Sequence, residues 1–207
     1  MSKSFENWKI GELMETFGLS RIYHSFTLLQ IWLMAENEIN AQEHKALDSL
    51  KEQLIRNAEN WNEDELKFMF ISPLILLADL QSEKCKIFTQ RRISAEVQGI
   101  RLNGIVDFVL ATGIDEPKKP FFFLHEYKQE KKRDNDPLAQ LVAEMLAAQA
   151  LNETPKPLFG CYVLGRFWFF VVLKDKNLEV SLAFDATQED IFRIFKMLRW
   201  VKEQIES

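Results

Sequence analysis

The chain has 207 residues, 47% of them apolar and 12% aromatic, with a formal net charge of −5. That is enough apolar material for one domain with a sizeable core, and it excludes a disordered chain. The acidic balance argues against a broad basic nucleic-acid surface but leaves room for a local basic cleft. Cys85 and Cys161 are the only cysteines. They fit neither a disulfide framework nor a zinc site, and they read as reduced thiols. The opening residues Met1-Ser2-Lys3-Ser4-Phe5-Glu6 lack a signal-peptide core, and no apolar run approaches membrane-spanning length. The expectation is a cytoplasmic protein without a membrane partner.

Residues 1–60 read as helical. Ser20 can cap a helix to about Asn37 with Ile22, Phe26, Leu29 and Leu33 on one face. A second helix, about Ala41 to Glu59, aligns Leu47, Leu50, Leu54 and Ile55. Together they predict a helical hairpin packed on the core. Asn62 followed three residues later by Glu65 is a helix-capping pattern, and the helix it starts runs to about Leu80 with a kink or restart at Pro73.

Lys86 to Val97 and Ile100 to Ala111 read as strands joined by a Gln98-Gly99 turn. On that hairpin Gln90 and Arg92 are expected to share the face of Asp107. Arg92 then has a phosphate within reach, or is plain surface. A charged turn from Thr112 to Pro120 precedes Phe121-Phe122-Phe123-Leu124, which is apolar on both faces as in a covered central strand. Folding this second hairpin about its middle sets Asp107 opposite or near Glu126, and Lys128 shares the face of Glu126. Charges ending a buried strand are costly unless paired or liganded. Two carboxylates can hold Mg²⁺ with coordination positions left for water and a phosphate oxygen, and the Tyr127 backbone carbonyl is a further oxygen donor. The alternative is an ion pair of Lys128 with one of the acids at the sheet's rim. His125 points to the opposite face.

Lys131, Lys132 and Arg133 follow in a charged loop, either a phosphate-binding rim or solvated surface. Pro137 to Leu151 reads as a helix with Asp136 as N-cap and Gln140 in its first turn. Gln140 can position water or a phosphate, or lie exposed, and Glu144 stands one turn on. Three strands follow, Leu158–Leu164, Phe167–Leu173 and Leu178–Phe184, with Trp168, Phe169 and Phe170 as core residues. A last helix, about Gln188 to Ile205, is expected to be capped by Thr187 with Asp190 three later. No repeat, Gly-rich phosphate loop or zinc finger is present in the sequence.

The order of helices, three strands, helix, strands and helix predicts an α+β fold, a mixed sheet with helices on both faces. Asp107, then Glu126-Tyr127-Lys128 across a hairpin, resembles the motif of the PD-(D/E)XK nuclease superfamily, the restriction-endonuclease-like fold with an αβββαβ core. Val106 stands where that family has proline. The resemblance covers roughly residues 62–184. It divides the chain into an N-terminal helical addition, residues 1–60, and a nuclease-like part, residues 61–207, within one structural unit. It implies a nuclease using Mg²⁺ or Mn²⁺ on DNA. Asp107, Glu126 and the Tyr127 carbonyl would be metal ligands, Lys128 would assist the attacking water, Gln140 would support the site, and Glu65 is the candidate for a third acid. A homodimer would suit cleavage of both strands. The competing expectations are an inactive binding or assembly module and a nuclease directed at RNA.

Overall fold

A computed structural model describes residues 1–23, 27–128, 136–152 and 156–206. The fold is mixed α+β: a nine-stranded mixed sheet with helices on both faces. In chain order the strands are β1 (Ser2–Ser4), β2 (Ser20–Arg21), β3 (Lys86–Val97), β4 (Ile100–Thr112), β5 (Lys118–Lys128), β6 (Leu158–Leu164), β7 (Phe167–Lys174), β8 (Asn177–Val180) and β9 (Phe184–Asp185). The helices are α1 (Ile10–Phe17), α2 (Leu28–Leu33), α3 (Ala41–Asn57), α4 (Glu63–Leu66), α5 (Ser72–Ala78), α6 (Pro137–Asn152) and α7 (Asp190–Glu206). No helix among the described residues is long and apolar enough to cross a membrane.

The path β1-β4-β5-β6-β7-β8-β2 carries β3 on β4 and β9 on β7. Gln98 and Gly99, both with positive φ, make the two-residue turn between β3 and β4, whose backbone twist matches that of the flanking strands. The long β5-to-β6 connection lets those two strands pair in parallel, with α6 as the crossover. Gly160 of β6 is where that helix comes closest: a Cβ there would stand 2.9 Å from Met145 Sδ and 3.3 Å from Leu141. One core lies between the sheet and α6 with α1. The other lies between the sheet and α2, α3, α5 and α7.

The N-terminal segment differs from the expected pair of helices. Ser2–Ser4 runs parallel to β4 and Ser20–Arg21 parallel to β8, so this segment contributes two strands to the sheet. The helix expected from Ser20 begins instead at Leu28, where the Thr27 side chain accepts from Gln30 N. Strands of two and three residues are too short to show a period of two, which hid them. The closing helix also starts differently. Asp185, not Thr187, accepts from its neighbour Thr187 N, and Asp190 turns back to accept from Asp185 N. Trp168 and Phe170 are core residues as expected, whereas Phe169 is half-buried.

Between α4 and α5 lies one wider turn, Lys67–Ile71, in which Ser72 N donates five residues back to the Lys67 carbonyl. Pro73 follows directly. It has no N–H to continue the ladder, and its ring crowds the carbonyl four residues earlier, so the helix loosens ahead of it.

Trp32 ties the N-terminal segment to the second core. Its ring is fully buried, edge-on to Phe159 at 5.2 Å and to Phe170 at 4.9 Å, and its Nε1 donates to the Met197 carbonyl at 2.7 Å. Trp32→Ala should lower stability by about 3–5 kcal/mol, read from the urea midpoint. A loss under about 1 kcal/mol would mean that α2 is not part of the cooperative core.

Candidate functional site

The site is built at a fork in the sheet. Strand β3 pairs with β4 from Lys86↔Ala111 to Val97↔Ile100 along one edge of β4, with a break at Gln90 and Asp107. The other edge is shared. β1 takes Arg101 to Asn103, and β5 takes Phe108 to Thr112. Between them lies the stretch Gly104 to Asp107. Phe5 packs against Gly104, where a Cβ would meet its ring at 2.6 Å. At the other end of this stretch, one residue beyond the Phe108↔His125 pair, stand Asp107 on β4 and Glu126 on β5.

Asp107 closes the fork with its side chain. Its Oδ2 accepts from Tyr127 N at 3.2 Å, taking over where the ladder between the strands ends. Its Oδ1 accepts from Gln90 Nε2 at 2.7 Å and from Lys67 Nζ at 3.0 Å. Within a strand, the N–H and C=O of one residue face the same edge, so the Tyr127 carbonyl also faces the fork.

The alternation of faces breaks here. Gln90 has φ of +53°, and Phe88 and Ile93, an odd number apart, both reach the core beneath α6. On β4, Val106 and Val109 do the same. Asp107 therefore stands at the crossing of the two faces and takes partners from both strands and from the α4 side. The break also separates two residues expected on one face. Gln90 lines a cleft of about 610 Å³ together with Glu63, Lys67, Asp107 and Tyr127. Arg92 is exposed and lines a smaller cavity of about 240 Å³ with Ser4, Phe5, Asn103 and Gln140. Arg92 thus faces Gln140 across the fork and does not share the cleft of Asp107.

Glu126 is fully buried, and its Oε1 accepts from Lys128 Nζ at 2.5 Å. From α6, Gln140 and Glu144 stand on the same side. Both are buried, and Gln140 Nε2 donates to Glu144 Oε1 at 3.3 Å. Asp136 holds the start of that helix by accepting from Ala139 N, as expected of an N-cap, and its second oxygen accepts from Ile10 N of α1. Glu126 Oε2, Glu144 Oε2 and Gln140 Oε1 are buried without a hydrogen-bond partner among the described residues.

Burial pushes the Glu126 carboxyl up to about 8, and the charge of Asp107 pushes in the same direction while Lys128 pulls against it. Burial, then Glu126 and Asp107, hold the Glu144 carboxyl well above the usual range. Burial pulls the Lys128 ammonium down, but Glu126 outweighs it and the ammonium stays above its ordinary value. The same balance raises Lys67, with Asp107 and Glu63 as the anions. His125 points to the other core, packs against Tyr127 and Trp168, and is held neutral by burial and by the charge of Lys67.

The candidate third acid is corrected. Glu65 is exposed and turns back to accept from Asn62 N at 2.8 Å, while Asn62 accepts from Glu65 N at 2.9 Å. The cap consumes it. Glu63 faces the cleft instead, accepting from Lys67 Nζ at 2.7 Å. Lys67 and Glu63 were missed in the sequence, where their only signal is an acid four residues before a base in a helix. Lys131, Lys132 and Arg133 lie outside the described residues. Among the described residues, no three His, Cys, Asp or Glu side chains form a group able to hold a metal ion by themselves. An ion held here would need Asp107, Glu126 and a non-carboxylate oxygen together. The donor set fits a hard cation: carboxylates, a strand carbonyl and an amide oxygen, with buried oxygens that lack hydrogen-bond donors. The sequence matches no protein-family model and no curated protein.

The raised Glu126 pKa has a consequence for the metal-free protein. The folded state keeps a proton that the unfolded chain releases near its ordinary value of 4.5, so stability falls as pH rises from about 4.5 to about 8. Glu144 contributes with the same sign. In a chelator, the melting temperature should decline across pH 5–8, and Glu126→Gln should make that decline shallower. An equal slope in the variant would refute the account of Glu126 given by its burial.

Proposed function

We propose that the chain is a divalent-metal-dependent nuclease of the restriction-endonuclease-like fold that hydrolyses phosphodiester bonds of DNA. The observation that carries this reading is that Asp107 and Glu126 stand one residue beyond the Phe108↔His125 pair on opposed strands, with Lys128 on Glu126 Oε1 and Glu126 Oε2 buried without a donor among the described residues. The order of α4–α5, β3-β4-β5, α6 and β6 supports the αβββαβ assignment.

Asp107, Glu126 and the Tyr127 carbonyl are the residues that would hold Mg²⁺ or Mn²⁺. Such an ion supplies acidified water and offsets charge on the phosphate in the transition state. The chain's own groups do the rest. Lys128 donates to Glu126 Oε1, and its ammonium can also orient the attacking water or meet developing negative charge. Gln140 holds Glu144 and keeps an unpaired Oε1 that can accept from water. Arg92, beside Gln140 in the smaller cavity, offers a guanidinium to a neighbouring phosphate. Cleavage of both strands of a duplex calls for two such sites, which a homodimer provides.

A second reading is favoured by one observation: Asp107 and Glu126 both have internal donors already. A closed network of that kind suits a binding or assembly module in which the acids only complete ion pairs. Metal titration separates the two.

The test uses the full chain with duplex DNA, single-stranded DNA and RNA side by side, in Mg²⁺, Mn²⁺ and chelator. Lys128→Ala should cut at a rate lower by about 10²-fold or more and keep most of its Mn²⁺ binding. Asp107→Ala should lose Mn²⁺ binding. Wild-type cleavage by Lys128→Ala would remove Lys128 from the mechanism. RNA cleaved in preference to DNA would change the substrate, and no metal binding at all would leave the module reading.

A further inference from the structure

The two acids at the fork are not in the same condition. Glu126 has Lys128 on one oxygen, and its other oxygen has no donor among the described residues. Asp107 has no such oxygen. Oδ1 receives both Gln90 and Lys67, which fills the two acceptor positions of a carboxylate oxygen, and Oδ2 receives Tyr127 N. Gln90 and Tyr127 N are neutral donors and can stay beside a cation. Lys67 cannot: its ammonium is 3.0 Å from Oδ1, within the space that an ion bridging Asp107 needs, and it carries like charge.

Lys67 is also built to move. It opens the wide turn ahead of Pro73, at the lip of the cleft of about 610 Å³. Its side chain is one-fifth exposed, and its ammonium already lies over the Tyr127 ring at 5.4 Å. Glu63, four residues earlier on the helix, anchors it from the other side at 2.7 Å. In the metal-free protein the ammonium therefore neutralises Asp107, whose charge otherwise bears on the buried Glu126.

We propose that Lys67 is a resident cation at this site: it holds Asp107 and Glu63 in the metal-free protein, and a divalent ion binds by displacing it toward the open cleft. This rests on the metal-dependent reading above. Lys67 is thus a positioning residue that sets the metal affinity and keeps the acids in place until an ion arrives.

The test is Mn²⁺ binding by calorimetry, with thermal melts in chelator and in Mn²⁺, on the full chain and on Lys67→Met, Lys67→Gln, Lys67→Arg and Asp107→Ala. The two neutral variants should bind Mn²⁺ roughly tenfold tighter than wild type. They should melt lower in chelator and gain more from Mn²⁺ than wild type does, since the ion replaces the missing charge. Lys67→Arg, which keeps the charge, should bind close to wild type. Lys67→Gln keeps a hydrogen-bonding side chain and serves if Lys67→Met does not fold. If wild type binds Mn²⁺ through Asp107 while the neutral variants bind equally or more weakly, the displacement idea fails and the metal-dependent reading stands. If Asp107→Ala binds as wild type does, or no protein binds, the metal-dependent reading fails and takes this proposal with it.

Discussion

The rest of the site depends on one edge of β4 being shared by two strands. Because β3 occupies the opposite edge, β1 and β5 must divide what remains, and neither covers Gly104 to Asp107. A sheet that parts in this way leaves backbone groups at the join without a strand partner, and buried backbone groups must find one. The Asp107 carboxylate meets that need for Tyr127 N. A carboxylate used so is held in one orientation, in the lining of the larger cleft, beside a strand end that carries Glu126 and Lys128. The fork places charge where the sheet's own ladder stops.

Charge balance then governs the state of the site. Glu63 and Asp107 are matched by Lys67, and Glu126 by Lys128, with Glu144 behind Gln140. Among the described residues, four carboxylates face two ammonium groups. The two most buried acids, Glu126 and Glu144, take up protons more readily than free carboxylates do.

The hairpin that opposes Asp107 to Glu126 was legible because it needs only two strands and the turn between them. The ladder does carry register shifts at Leu110 to Thr112, yet they fall on the turn side of Asp107 and leave the pairing at Phe108↔His125. The helix N-cap at Asp136 and the opposite facing of His125 were readable for similar local reasons. What could not be read was anything requiring a departure from period. Gln90 adopts a left-handed backbone within a strand, with no glycine to mark it, and so Arg92 does not share the face of Asp107 as expected. The cap that Asn62 and Glu65 announce in the sequence does form and uses Glu65 up. Lys67 went unread, since its second partner lies 40 residues away.

Lys67 and Lys128 show why the two ion pairs are not equivalent, although each joins an ammonium to an acid at the fork. Lys128 shares a strand with Glu126 and approaches it two residues along the same face, so their geometry is fixed by the β-strand itself. Lys67 reaches Asp107 from a different layer, on a helix that has already loosened ahead of Pro73. Breaking the first contact means turning a side chain away from a fully buried carboxylate. The second contact lies at the edge of a cleft, with the ammonium also over the Tyr127 ring. Of the two cations, the one least tied to the sheet is therefore paired with the acid that bridges the fork.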